Sequence, residues 1–169
     1  TADDPGLFSS QNEQDNRYYS QHAKLAMVEP SDSQEALGYV KEAFEISEKF
    51  DTHGLCRVTT RVCHSKTLVE TGEREERAVK EYAKNPGKYV MAPAAAKKRK
   101  FIMEERIAAM KEYSEKTPLN RTEYNGKEIG IITSGIAYNH AKEVFGDSAS
   151  YLKLGFTWPL PENKIKAFA

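Results

Sequence analysis

Ile129-Gly130-Ile131-Ile132-Thr133, then Ser134-Gly135, then a run from Ala137 to Phe145 closed by Gly146, then Tyr151-Leu152-Lys153-Leu154, is the stretch whose reading decides the fold. The first five residues are apolar enough for a buried-type strand. The run after them is helical in character, and Gly146 suits the position just past a helix end. A second strand follows, and Pro161 then fits the first position of another helix. Strand, helix, strand, helix predicts a parallel sheet with a crossover helix.

The same order is legible nearer the N-terminus. Leu25-Ala26-Met27-Val28 reads as a strand leading into Glu29-Pro30, and Ser31-Asp32-Ser33-Gln34 fits a capping box with Ser31 as the cap and Gln34 reaching back. Ala36, Leu37, Val40, Ala43, Phe44 and Phe50 recur at helical spacing. That pattern predicts a helix ending near Lys49 with Gly54 as its stop. Leu55 to Val62, rich in β-branched residues, reads as the next strand. Between about 66 and 125 the composition turns to charge. Glu73 with Arg77 and Glu76 with Lys80 are spaced for an exposed helix over 73–84, stopped by Asn85-Pro86-Gly87. A second helix is predicted from about Ala94 to Glu115. Its stripe of Met103, Ile107, Met110 and Tyr113 is narrow enough to pack on a surface rather than fill a core. Thr117-Pro118 ends it, and Asn125-Gly126 marks a turn. The expected fold class is therefore α/β, two partial parallel-sheet pieces joined by a charged helical linker.

Composition limits the functions open to such a chain. Among 169 residues, 25 Lys and Arg balance 25 Asp and Glu, which gives no basic field for nucleic acid. A 39% hydrophobic content provides for a core, and no apolar run reaches the ~18 residues of a membrane span. No basic n-region precedes an apolar stretch at the N-terminus, so a cytoplasmic location is expected. The ends read as those of a piece cut from something longer.

Most candidate motifs reduce to structure. Cys56 and Cys63 are too few for a disulfide framework or a four-thiolate cluster, and catalytic use of either thiol would need a convergent base. His22, His53, His64 and His140 lack ligand spacing. Lys97-Lys98-Arg99-Lys100 is followed by Glu104 and Glu105 and reads as a solvated face. Gly130 to Gly135 has phosphate-loop spacing, but Ile136-Ala137 stands where Lys and Ser or Thr would be required. A tight strand-to-helix turn accounts for both glycines. Asn120-Arg121-Thr122 matches a glycosylation sequon, which has no meaning in the cytoplasm. The most suggestive stretch runs from Ser9 to Arg17. It concentrates hydroxyls, amides, carboxylates and a guanidinium, groups that can orient a polar substrate such as a 2-oxo acid.

Three stretches together carry a family resemblance: Asp3-Asp4-Pro5-Gly6 with Ser9 to Arg17, Glu29-Pro30-Ser31-Asp32-Ser33-Gln34-Glu35-Ala36, and Arg57 to Ser65. With Lys88-Tyr89-Val90-Met91, Ile131 to Tyr138 and Leu152 to Pro161 in the same order, the chain resembles the alpha subunit of the indolepyruvate ferredoxin oxidoreductases. These belong to the thiamine diphosphate-dependent 2-oxo acid:ferredoxin oxidoreductases. The resemblance implies a parent enzyme that oxidatively decarboxylates indolepyruvate and other aryl pyruvates to the acyl-CoA. Its cofactors would be thiamine diphosphate, Mg2+ and [4Fe-4S] clusters, and its partners a beta subunit, a second alpha subunit, CoA and ferredoxin, with neither nucleic acid nor membrane. Residues 1–72 would be the C-terminal half of the pyrimidine-binding domain, 73–125 a linker, and 126–169 the start of a transketolase C-terminal-like domain, both domains Rossmann-like. The glutamate that activates the aminopyrimidine would lie before Thr1 and the Gly-Asp-Gly diphosphate motif after Ala169. No cofactor is then expected to bind this segment alone, no catalytic residue or metal ligand is assigned, and the segment alone is expected to be inactive. By its place in the pyrimidine-binding domain, the loop would set Ser10, Gln11, Asn12, Glu13 and Arg17 facing the active-site cleft. His53-Gly54-Leu55-Cys56 departs from the family, where a Pro and an aliphatic strand start are expected. The alternatives are a pyruvate-type oxidoreductase and a non-catalytic interaction module docking through residues 73–116.

Overall fold

A computed structural model describes residues 1–126 and 128–169. Its elements in chain order are β1 (Ala2–Asp3), α1 (Arg17–Ala23), β2 (Ala26–Val28), α2 (Ser33–Phe50), β3 (Gly54–Cys56), β4 (Val58–Thr59) and α3 (Thr60–His64). There follow α4 (Pro86–Tyr89), α5 (Pro93–Lys116), β5 (Asn120–Glu123), β6 (Ile129–Ser134), α6 (Gly135–Phe145), β7 (Ala149–Leu154), β8 (Phe156–Trp158) and α7 (Glu162–Phe168). The architecture is mixed α/β with three small sheets.

Both predicted strand–helix–strand units form, β2–α2–β3 and β6–α6–β7, each with its two strands parallel. The sheets around them are mixed rather than parallel. β8 joins β2 antiparallel, and β5 joins β7 antiparallel. β7 is central in its sheet and buried along all six residues, whereas β6 is an edge strand. The buried-type reading of Ile129 to Thr133 is therefore corrected, since Ile132 stays 42% exposed where no further strand among the described residues covers it.

Local chemistry shifts several boundaries. Asp32, not Ser31, caps α2, its carboxylate accepting from the Glu35 N–H at 2.8 Å. Glu35 reaches back to the Ser31 N–H and hydroxyl, both at 2.8 Å, while Gln34 turns outward and bonds the backbone of Glu70. The left-handed residue that ends α2 is Asp51, so Gly54 is free to start β3. The face that α2 packs into the core runs Tyr39, Ala43, Ile46 and Phe50, a 4-3-4 spacing. Val40 and Phe44, counted toward the core by the sequence, lie outside that stripe, and Phe44 is 68% exposed.

The predicted strand Leu55 to Val62 breaks at Arg57 and turns into α3 at Thr60. The helix expected over 73–84 does not form. Arg77 and Lys80 reach across to Glu45 and Glu48 on the exposed face of α2 rather than pairing with Glu73 and Glu76. A segment with no apolar stripe has nothing to bury in return for becoming helical. The long helix α5 does form, but Met110 is fully buried in the main core rather than lying on a surface. It packs with Ala26, Val28, Tyr39, Ile46, Leu119 and Phe156, and Tyr113 stands edge-on to both Phe50 and Phe156 with centroids 5.5 Å apart. Gly155 permits that convergence, because a Cβ there would run into the Tyr39 hydroxyl and the Leu119 carbonyl.

An ion cluster ties α2 to the third sheet. Lys153 of β7, with no exposed side-chain surface, donates to Ser31 Oγ at 2.7 Å and to Glu35 Oε1, while Arg121 of β5 reaches the same Glu35 oxygen at 2.8 Å. Burial raises the Glu35 carboxyl, but the Lys153, Ser31 and Arg121 hydrogen bonds outweigh it and bring the group down to about 2. A carboxyl depressed on folding contributes stability that is complete above its ordinary value near 4.5 and is lost as pH falls toward 2. In chemical unfolding between pH 5 and pH 2, Glu35 is expected to account for a loss on the order of 2–3 kcal/mol, so that Glu35→Gln loses correspondingly less than the parent sequence over the same range. Met110→Ala is expected to cost about 3 kcal/mol in the same measurement. Phe44→Ser should stay within about 0.5 kcal/mol of the parent sequence.

Candidate functional site: a polar loop on a buried ion cluster

Asp3 and Asp4 leave β1 beside β4, whose parallel pairing sets Asp3 opposite Thr59. Both carboxylates are buried. A buried carboxylate needs donors, and the loop of residues 5–16 supplies them. Asp4 accepts the N–H groups of Phe8 (3.0 Å), Ser9 (2.6 Å) and Ser10, together with the Thr60 hydroxyl at 3.0 Å. Asp3 accepts the Asn16 N–H through both oxygens, at 3.0 and 2.9 Å. The loop is thereby clamped at its start by Asp4 and at its end by Asp3. Gly6 and Leu7 both take positive φ, 71° and 58°, and Glu13 closes the turn by accepting the Gly6 N–H at 3.2 Å. A leucine in that region is strained by roughly 1 kcal/mol, so surrounding contacts must hold it there.

Arg57 lies beneath the clamp. Its Nε donates to Asp3 and its Nη1 to Glu29, and all three side chains are at least 95% buried. Burial pushes the Glu29 carboxyl up, against the opposing pull of Arg57. Ser134 Oγ donates to its second oxygen at 3.3 Å. Gly135, at φ 53°, leaves open the space that the Glu29 carboxylate fills, because a Cβ there would overlap it. The strand-to-helix turn that resembled a phosphate loop thus accommodates a protein carboxylate.

The five residues predicted to face a substrate sit on the outer side of this base. Ser10 is half-buried and uses its N–H on Asp4, while Gln11, Asn12 and Glu13 are exposed. The Asn12 amide donates to the Glu13 carbonyl at 3.2 Å. Arg17 is gripped by Asp15 in a two-pronged pair at 2.8 and 2.6 Å, which holds the Asp15 carboxyl down at about 2. Arg17 therefore brings no unpaired charge to the loop. Sequence reading missed the base itself: Asp3, Asp4, Glu29, Arg57 and Thr60. One signal was available, since an arginine inside an apolar run must find carboxylates if the run is buried.

Among the described residues no group of three or more His, Cys, Asp or Glu side chains is placed to hold a metal ion, and the two thiols are free. Cys56 is half-buried, which raises its thiol, and Cys63 lies exposed on α3. Among the described residues no helix is long and apolar enough to cross a membrane.

Fold and site together define a class: an α/β segment that presents a rigid polar loop on a buried ion cluster. Comparison with known proteins places it further. The chain is 42% identical over 174 residues to the indolepyruvate oxidoreductase subunit IorA of Methanothermobacter marburgensis, 39% to that of Archaeoglobus fulgidus over 173 residues, and 37% to that of Thermococcus kodakarensis over 180 residues. Each match covers 99% of this chain and 28% of the relative's length. No family model matches. The chain is homologous along its full length to a portion of the indolepyruvate oxidoreductase subunit IorA, as the resemblance of its motifs implied.

Replacing Asp4 tests the clamp directly. In Asp4→Ala the amides of Phe8, Ser9 and Ser10 lose their shared acceptor, and hydrogen exchange at these positions is expected to accelerate about tenfold or more while the amides of β7 keep their protection.

Proposed function

We propose that this chain is the part of an indolepyruvate:ferredoxin oxidoreductase alpha subunit whose clamped loop forms one wall of the active-site cleft. The parent reaction converts an aryl pyruvate, CoA and two oxidised ferredoxins to an aryl acyl-CoA, carbon dioxide, two reduced ferredoxins and a proton. The observation that carries this reading is 42% identity across 99% of the chain to a protein named for indolepyruvate oxidation. Thiamine diphosphate supplies the carbanion chemistry in the parent enzyme, and it, Mg2+ and the [4Fe-4S] clusters would be held by other parts of the assembled protein. In the same proposal residues 1–72 complete the pyrimidine-binding domain, 73–125 link, and 126–169 begin the transketolase C-terminal-like domain. A beta subunit, a second alpha subunit and ferredoxin are the partners, in the cytoplasm.

The loop's contribution is positional. Backbone groups fixed by Asp3 and Asp4 leave the side chains of Gln11 and Asn12 exposed, while Ser10 and Glu13 also bond within the loop, so a polar substrate meets a backbone already ordered. The test is CoA-dependent reduction of ferredoxin by the assembled parent enzyme, with indolepyruvate and pyruvate compared. Indolepyruvate is expected to give a kcat/KM at least about tenfold higher. Gln11→Ala and Asn12→Ala are each expected to lower it by about three- to tenfold. Equal use of both substrates would favour the pyruvate-type reading, and no turnover of either would reject the activity.

A further inference from the structure

The clamp orders two side chains beyond those the sequence singled out. Phe8 follows the strained Gly6-Leu7 turn, its N–H fixed on Asp4, and its ring is 55% exposed. Arg61, in the first turn of α3, lays its guanidinium carbon 4.3 Å from the centre of that ring. Its neighbour Thr60 donates to the same Asp4 carboxylate and to the Asp3 carbonyl, both at 3.0 Å. One buried carboxylate thus sets both members of the stack, the ring through the loop and the guanidinium through α3.

The other cationic side chains around this base are already neutralised. Arg17 is paired with Asp15, and Arg57 with Asp3 and Glu29. Arg61 makes no ion pair with a carboxylate among the described residues, and it is exposed. A guanidinium that lies over a ring without a carboxylate partner keeps N–H donors available, and those donors match a carboxylate in two-pronged geometry. The second face of the pair, the open part of the Phe8 ring, is an aromatic platform beside that fork.

We infer that Phe8 and Arg61 form an aryl-carboxylate recognition pair, Arg61 taking the carboxylate of a 2-oxo acid and Phe8 its aromatic substituent. The inference rests on the reading of the parent as an aryl pyruvate oxidoreductase and names the residues of this chain that would set its preference. Phe8 is the specificity residue, because an alkyl 2-oxo acid has no ring to place against it. Arg61 serves aryl and alkyl acids alike, because both carry the carboxylate.

The experiment uses the assembled parent enzyme. Phe8→Leu keeps apolar bulk and removes the ring; it is expected to lower kcat/KM for indolepyruvate about tenfold while changing that for pyruvate by less than about twofold. Arg61→Gln is expected to raise KM for both substrates about tenfold or more, with Arg61→Lys recovering part of the loss. Calorimetric binding of indole-3-lactate, which carries ring and carboxylate but cannot be decarboxylated by this route, reads the pair independently of turnover and should weaken in both Phe8→Leu and Arg61→Gln. Thermal unfolding and subunit stoichiometry unchanged from the wild type are part of the expected result. Equal losses on both substrates in Phe8→Leu, unaltered analogue binding, or variants that separate into subunits would overturn the inference, the last by making the pair a subunit contact. A wild-type enzyme that binds the analogue but oxidises neither substrate would instead overturn the activity reading and leave the pair to be judged by binding.

Discussion

A guanidinium buried between two carboxylates organises the N-terminal half of this molecule. Arg57 lies between β3 and β4, Asp3 ends β1, and Glu29 follows β2, so one cation fixes the relative positions of segments from two sheets. Desolvating three charges is costly, and the arrangement is tolerable only because each group has partners: Asn16 on Asp3, Ser134 on Glu29. Removal of one member would strand the others in a medium that disfavours them, at a cost of about 3–5 kcal/mol. The cluster is therefore better understood as a device for unique placement than as a source of net stability.

The polar loop depends on that placement. Asp4 is next in sequence to Asp3, so anchoring one carboxylate beneath the loop brings the other to its N–H groups. Ser134 and Gly135 complete the enclosure from the start of α6, which links the clamp to the third sheet. A second cluster, Lys153 with Glu35, Ser31 and Arg121, makes an analogous connection from α2 to β5 and β7. Apolar packing closes the same joint, since Phe156 of β8 shares the core with Met110 of α5 and Val28 of β2. Residues distant in the chain thus converge on one core and two ionic junctions.

Legibility in the sequence followed the range of the forces involved. The strand–helix–strand units were readable because periodicity and turn residues act locally, as at Gly146 after α6. The helix expected over 73–84 was not, because its Glu and Arg spacing suits pairing within a helix and equally suits Arg77 with Glu45 across a gap. Capping chemistry was recognisable one residue out of register, since Ser31 and Asp32 are both competent caps and only the direction of entry into α2 selects Asp32. On the site, the loop was visible by its composition, yet Arg17 was credited with a charge that Asp15 already holds.

By itself the sequence determined the local order of the chain: two strand–helix–strand units, a charged connection, a polar loop whose motifs carry the family likeness, and no amino-acid set suited to a four-thiolate cluster. Tertiary structure decided which charges are buried, which strand lies at an edge, and which side chains the loop leaves free. Those are outcomes of long-range pairing, as when Arg57 meets Asp3 across 54 residues and Lys153 meets Ser31 across 122. A charged side chain looks the same in sequence whether water or a carboxylate satisfies it. Only the fold supplies the partner, and burial then makes that partner obligatory.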